Sequence, residues 1–145
     1  MYGLYVRGML EKGIEKVKRS NNFKYRIISA HALSESIPAP SNSYDSVVDT
    51  FGLCSVRDPV KALEEMKRVV KPNGLILLLE HGKSSNYTWI NNALDKTTCD
   101  HAKRWGCFWN RDIKDIILKA GLEPSQISTH HFGTTQAIII ECNKI

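Results

Sequence analysis

The stretch SYDSVVDTFGLCSVRDPVKALEEMKRVVKPNGLILLLEHG, Ser43 to Gly82, constrains the fold more than any other part of the chain. It predicts a strand, a loop, a helix, a turn and a second strand. The first strand opens at Tyr44, and its near-continuous apolar centre, Val47 and Val48, suits a sheet covered on both faces. Asp58 is a natural N-cap and Pro59 fits the first helical position. Val60, Leu63, Met66 and Val70 then form an apolar stripe, and KPNG, Lys71 to Gly74, stops the helix. LILLLE returns as a buried strand. A strand, a helix and a strand in this order make a right-handed parallel crossover. Such a unit usually belongs to a sheet that holds a nucleotide-like cofactor, and ligands of such sheets sit at the carboxyl ends of the strands, the rim where Glu80 and His81 also end their strand.

The flanking segments extend this unit. Leu10, Ile14 and Val17 fall on one face of a helix that begins at Met9 and ends at SNN, Ser20 to Asn22. KYRIISA, Lys24 to Ala30, reads as a strand, and HALSESIPAPSNS as a loop. Ser85 to Leu94 is expected to be helical, with Trp89, Ile90, Ala93 and Leu94 inward. Asn110 is the expected N-cap of a helix carrying Ile113, Ile116, Ile117 and Ala120, with Gly121 as its C′ glycine. Gln126 to Phe132 and Thr135 to Cys142 read as an antiparallel hairpin around Gly133. The 145 residues suit one domain, with a main sheet block over 43–145 and a loosely placed helix, strand and loop over 9–42.

Composition excludes several classes. The chain carries 20 Lys+Arg against 15 Asp+Glu, a net charge of +5, but bases alternate with acids, as in LEKGIEKVKR. Nucleic-acid binding needs a concentrated basic patch with stacking aromatics, and only Lys16 to Arg26 approaches one. No apolar run nears the roughly 20 residues of a membrane span, and the N-terminal residues make a poor targeting peptide. The four cysteines form no C-x-x-C. Cys99, His101 and Cys107 lie close together, but their spacing does not match the usual zinc patterns, so reduced structural thiols and no metal are expected. His130 and His131 alternate across a strand and face opposite sides.

Taken in order, these segments resemble the C-terminal part of a class I S-adenosylmethionine-dependent methyltransferase, of the methyltransferase type 11 group. That group includes the ubiquinone and menaquinone biosynthesis enzymes and the methyltransferase-like membrane-associated proteins. MLEKGIEKVK resembles the helix after the family's second strand. IPAPSNSYDSVVDTFGL is similar to its LPFPDNSFDxVxxxxGL, and DPVKALEEMKRVVKPNGLILLLEHG to its next helix, Lys-Pro-x-Gly turn and fifth strand. WGCFWNRDIKDIILKAGL resembles a segment of a fungal mitochondrial subgroup, so the resemblance allows a mitochondrial compartment for an intracellular chain, which the residues themselves do not fix. The implied fold is a partial Rossmann-like α/β sheet, mostly parallel with a C-terminal antiparallel hairpin, whose last four strands run in the order 4-5-7-6.

The resemblance implies S-adenosylmethionine as cofactor and methyl transfer to a small, lipophilic acceptor. It implies cofactor contacts at His31, Ala32, Thr50, Phe51 and Gly52, with Glu80, His81, Trp109 and Asn110 on the substrate side. No G-x-G occurs; Gly3, Gly8 and Gly13 are spaced by five. The family's glycine-rich turn after its first strand, needed for close backbone approach, therefore has no counterpart. The expectation is a domain truncated at its N-terminus that binds the cofactor weakly or not at all. The alternative is a non-catalytic remnant acting as an interaction domain, self-associating or pairing with a complete relative through its open sheet edge.

Overall fold

The computed structural model describes residues 11–12, 15–16 and 32–142. The chain divides into two compact units, Met1–Leu33 and Ser34–Ile145. In the first, Glu11, Lys12, Glu15 and Lys16 are helical, as the apolar spacing from Met9 predicts. The expected strand over Lys24 to Ala30 lies outside the described residues.

The second unit contains β1 (Tyr44–Thr50), α1 (Pro59–Val69), β2 (Val70–His81), α2 (Thr88–Trp105), α3 (Ile113–Lys119), β3 (Gln126–His130) and β4 (Thr135–Cys142). The strands form one mixed sheet in the order β1-β2-β4-β3. β1 and β2 are parallel, with Val47 opposite Ile76 and Asp49 opposite Leu78. β4 runs antiparallel to β2, with Leu78 opposite Ile138, and β3 runs antiparallel to β4. This is the 4-5-7-6 order that the resemblance implies.

Helix α1 begins where the sequence places it. The Asp58 carboxylate accepts a hydrogen bond from Lys61 N at 3.0 Å, and Pro59 occupies the first turn. Ala62, Leu63, Met66 and Val69 recur at helical spacing and are all buried. The helix passes directly into β2 at Val70. On its flank, Glu65 and Arg68 pair at 2.7 Å, and together they bond the backbone of Ile37 and Ala39. Helix α3 starts at Asp112, whose carboxylate accepts from Asp115 N at 3.0 Å, and not at the expected Asn110. Its Ile113, Ile116 and Ile117 are buried, and Gly121 follows at φ +64°, in the left-handed region that favours glycine.

Helices α1 and α3 cover one face of the sheet. The core gathers Leu63 and Met66 of α1, Ile113, Ile116 and Ile117 of α3, Ile76 and Leu78 of β2, and Ile138 and Ile140 of β4. The other face departs from the expectation of two covered faces. Val48 is 65% exposed and Leu75 is also exposed, while Leu77, Leu79 and Ile139 are half-buried. An apolar run is compatible with one packed face, because alternate residues point oppositely.

Helix α2 also differs from expectation. It runs from Thr88 to Trp105 and ends at Gly106 with φ +72°, well beyond the expected Ser85 to Leu94. Of the four residues expected inward, only Ile90 is buried; Trp89 is 66% exposed. The residues Asp95 to Trp105 lack a clear apolar period, since the helix buries only Ile90, Thr98 and Ala102.

Truncating the fully buried Ile117 to Ala should destabilise the fold by about 2–5 kcal/mol. Leu118→Ala, on the half-exposed side of the same helix, should change stability by less than about 0.5 kcal/mol. Urea unfolding of the two variants measures the difference.

Candidate functional site

The parallel crossover brings the carboxyl ends of β1 and β2 side by side, and four segments meet there. They are the loop after Thr50, the loop after His81, the segment from Gly106 to Arg111, and the hairpin tip between β3 and β4. The tip belongs to this rim because Thr135, at the start of β4, pairs with His81 at the end of β2.

The turn out of β1 is the most constrained part. Phe51 adopts φ +54°, a left-handed conformation that is uncommon for a bulky residue. Its N–H donates to Leu79 O at 2.8 Å, extending the ladder, and its ring stacks on His81 with centroids 4.2 Å apart. Gly52 follows, and a Cβ there would collide with Asp49 Oδ1, so any side chain would have to push the Asp49 carboxylate aside. The Gly52 N–H donates to Glu80 Oε1 at 3.1 Å.

Glu80 follows Ile76 and Leu78 on the inward face of β2 and is 0% exposed. Its carboxyl also hydrogen-bonds the Asp49 side chain. Burial first, and then the charge of Asp49, push its pKa up to about 8. Burial also raises Asp49. Two inward carboxylates of neighbouring strands thus converge on one glycine, and Glu80 holds its proton at neutral pH. Burial lowers the pKa of His81, and the nearby His101 and His131 lower it further, which favours the neutral imidazole.

The remaining rim segments are tied to this turn. Arg111 donates to Leu53 O and, at 2.7 Å, to Val56 O, clamping the loop after Gly52. Phe108 N donates to Cys54 O at 2.8 Å. Trp109 stacks on His101 at 3.7 Å, with its indole N–H buried and unpartnered. Asn110 accepts from Thr98 Oγ1 at 2.9 Å and donates to Asp95 at 2.8 Å. It therefore ties the segment to α2 instead of capping α3.

Of the residues expected at the site, Thr50, Phe51, Gly52, Glu80, His81, Trp109 and Asn110 all lie on this rim or directly behind it. Ala32 is exposed in the first unit, and His31 lies outside the described residues. Sequence reasoning missed Asp49 and Arg111. The alternation of β1 places Asp49 with the inward Val47, a legible signal; the Arg111 clamp had none, because its partners are backbone carbonyls distant in sequence. His130 and His131 are exposed, and His131 contacts Thr135 Oγ1 at 3.1 Å. A cavity of about 710 Å³ opens at the opposite end of the sheet, beside Lys67, Lys71 and Gly121. It holds none of the shifted carboxylates or the strained turn, so the rim is the better candidate site.

The family model of the ubiE/COQ5 methyltransferases matches residues 5–101. The chain belongs to the ubiE/COQ5 methyltransferase family. Among curated relatives, it is 43% identical over 96 residues to "Methyltransferase OMS1, mitochondrial" of Saccharomyces cerevisiae, covering 66% of this chain and 20% of that protein. It is 40% identical over 90 residues to the ubiquinone/menaquinone biosynthesis C-methyltransferase UbiE of Cronobacter sakazakii, covering 60% of this chain and 34% of that one. The chain thus spans about a third or less of the length of these curated relatives. A SAM-dependent methyltransferase from Aquifex aeolicus shares the fold, with a TM-score of 0.61 at 17% identity, covering 92% of this chain and 63% of that one.

The Glu80 carboxyl has a testable sign. Its folded pKa lies above its ordinary value of 4.5, so the folded state holds a proton that the unfolded state releases. This contribution to stability falls as pH rises between about 4.5 and 8 and is flat above. Glu80→Gln keeps the size but cannot ionise, and should flatten that slope in chemical denaturation across pH 5 to 8 in metal-free buffer.

Proposed function

We propose that the chain supplies one wall of an S-adenosylmethionine-dependent methyltransferase cleft, acting on a small lipophilic acceptor. The observation that carries the reading is the strained Phe51-Gly52 turn at the carboxyl ends of two parallel strands, inside a ubiE/COQ5 segment. The residues there fit such a cofactor. Gly52 offers backbone without a Cβ, Phe51 an exposed ring, and Thr50 an exposed hydroxyl. When bound, S-adenosylmethionine supplies an electrophilic methyl group on its sulfonium sulfur.

Methyl transfer depends mainly on in-line approach in a dry, aligned site. Glu80 is fully buried with one oxygen on Gly52 N, which makes it a positioning residue for the turn. His81 is half-buried and stacked on Phe51, so it is the better placed of the two to face an acceptor. Trp109 and Asn110 shape the substrate side behind it.

A lipophilic acceptor is supported by the aromatic cluster on the same rim. Phe132, 66% exposed at the hairpin tip, meets Tyr87 edge-on at 6.0 Å and Trp89 at 6.5 Å. Exposed rings gathered beside a strand-end site are a natural contact for an apolar ligand. The name of the yeast relative favours a mitochondrial compartment for this protein. Among the described residues no helix is long and apolar enough to cross a membrane.

Calorimetric titration of the chain with S-adenosylhomocysteine tests the cofactor wall. Because the sequence has no G-x-G, the expected result is weak but saturable binding. Gly52→Ala should weaken it by about tenfold or more, equivalent to about 1.4 kcal/mol. No heat from a chain that circular dichroism shows to be folded would overturn cofactor binding by this chain.

A further inference from the structure

Cys54, His81 and Cys107 converge although the sequence scatters them. One ligand atom from each, two thiol sulfurs and an imidazole nitrogen, lie within 4.8 Å of one another. We propose that these three side chains form a binding site for a single thiophilic divalent cation, Zn²⁺ by its chemistry, with the fourth position left for a water or an exchangeable ligand. The proposal does not rest on the methyltransferase reading.

The donor set selects the ion. Two thiolates and one imidazole suit zinc, whereas magnesium and calcium require oxygen ligands. Tetrahedral zinc with three protein ligands, two Cys and one His, keeps an open position. The spacing of the three donors is close to that of ligands gathered round one such ion, so binding would require only small side-chain adjustments.

Each ligand is held by structure around it. Cys54 is 1% exposed and lies in a tight turn in which Ser55 N and Val56 N both donate to Gly52 O. Cys107 is 8% exposed, and its carbonyl lies 3.0 Å from His101 Nδ1. The Phe108 N to Cys54 O bond joins the two cysteine segments directly. The His81 ring is oriented by its stack on Phe51. Without an ion, the Cys54 thiol donates to Phe51 O at 3.3 Å, a weak contact that a thiolate could give up.

Glu80, the residue before His81, is completely buried, accepts from Gly52 N and hydrogen-bonds Asp49, so it stands behind the three donors and is not a ligand. Burial, and then the neighbouring Cys54, push the Cys107 thiol up to about 12, so a bound cation would have to displace its proton. The nearby Cys99 is exposed and takes no part, so the local Cys99, His101 and Cys107 group considered from the sequence is not the site.

The test is titration of the reduced, metal-free chain with Co²⁺, a spectroscopic substitute for Zn²⁺. The expected result is one equivalent of tetrahedral cobalt, with a thiolate-to-cobalt charge-transfer band, displaced stoichiometrically by Zn²⁺. Cys54→Ser and Cys107→Ser should each abolish the band, and His81→Ala should weaken binding by about tenfold or more. Cys99→Ser and Cys142→Ser should leave it unchanged. Because the buried cysteine variants can lose their fold, alkylation of the unaltered chain gives an independent readout. Zn²⁺ should slow modification of Cys54 and Cys107, relative to chelator, and leave Cys99 untouched. The proposal is overturned if no tetrahedral cobalt spectrum forms, if Cys54→Ser retains it, or if alkylation is the same with zinc and chelator. A product two hydrogens lighter, with Cys54 and Cys107 joined as a disulfide in the chain as isolated from cells, would also overturn it. None of these readouts involves S-adenosylhomocysteine, so they fail or succeed separately from the cofactor titration.

Discussion

The inward alternation of β2 is the constraint on which the rest depends. This strand pairs with β1 on one side and β4 on the other, and its even-numbered residues from Ile76 onward all point at the helices. Ile76 and Leu78 anchor the core under α1 and α3. Two residues later the same geometry delivers Glu80 to the core face, where an apolar residue would be expected. The carboxyl is accommodated because it accepts from Gly52 N and stays protonated beside Asp49. Packing and site chemistry are therefore consequences of one strand register.

That register also explains why the turn out of β1 is strained. The chain must leave the sheet immediately after Thr50 while keeping Phe51 N on the β2 ladder. Phe51 takes a left-handed conformation, and Gly52 gives up its side chain to make room for Asp49. Non-glycine residues hold such a conformation only when their surroundings over-determine it. Here the surroundings are the ladder bond, the His81 stack, the Glu80 acceptor and the Arg111 clamp on the following loop. The same supports place Cys54 beside Cys107 and His81, so one rigid turn serves both the proposed cofactor wall and the proposed metal site.

Local sequence carried much of the fold. The Asp58-Pro59 start of α1, Leu63 and Met66 of its stripe, the α3 isoleucines, Gly121 and the closing hairpin were legible because each depends on residues within a few positions, whereas Val70, read as the end of the stripe, and Lys71 to Gly74, read as a turn, belong to β2. Helix α2 was only half legible: Asp95 to Trp105 lack a sharp apolar period, and the helix is ended by Gly106 in a left-handed conformation. Asn110 resembled a cap because its residue type suits one, yet Asp112 holds the helix N-terminus and Asn110 bonds α2. Two donors so close in sequence cannot be ranked as caps without knowing where the segment packs.

By itself, the sequence determined the strand-helix-strand crossover, the order of its elements and the carboxyl-end location of the candidate site, because hydrophobic period and capping are short-range properties. Only the tertiary structure decided that one sheet face is packed by α1 and α3 while Val48 on the other stands exposed. It alone brought Asp49 against Glu80, Arg111 onto the loop after Gly52, and Cys54, His81 and Cys107 together. Those contacts join segments separated by whole elements. Their distances follow from strand register and helix packing, which no local pattern of residues encodes.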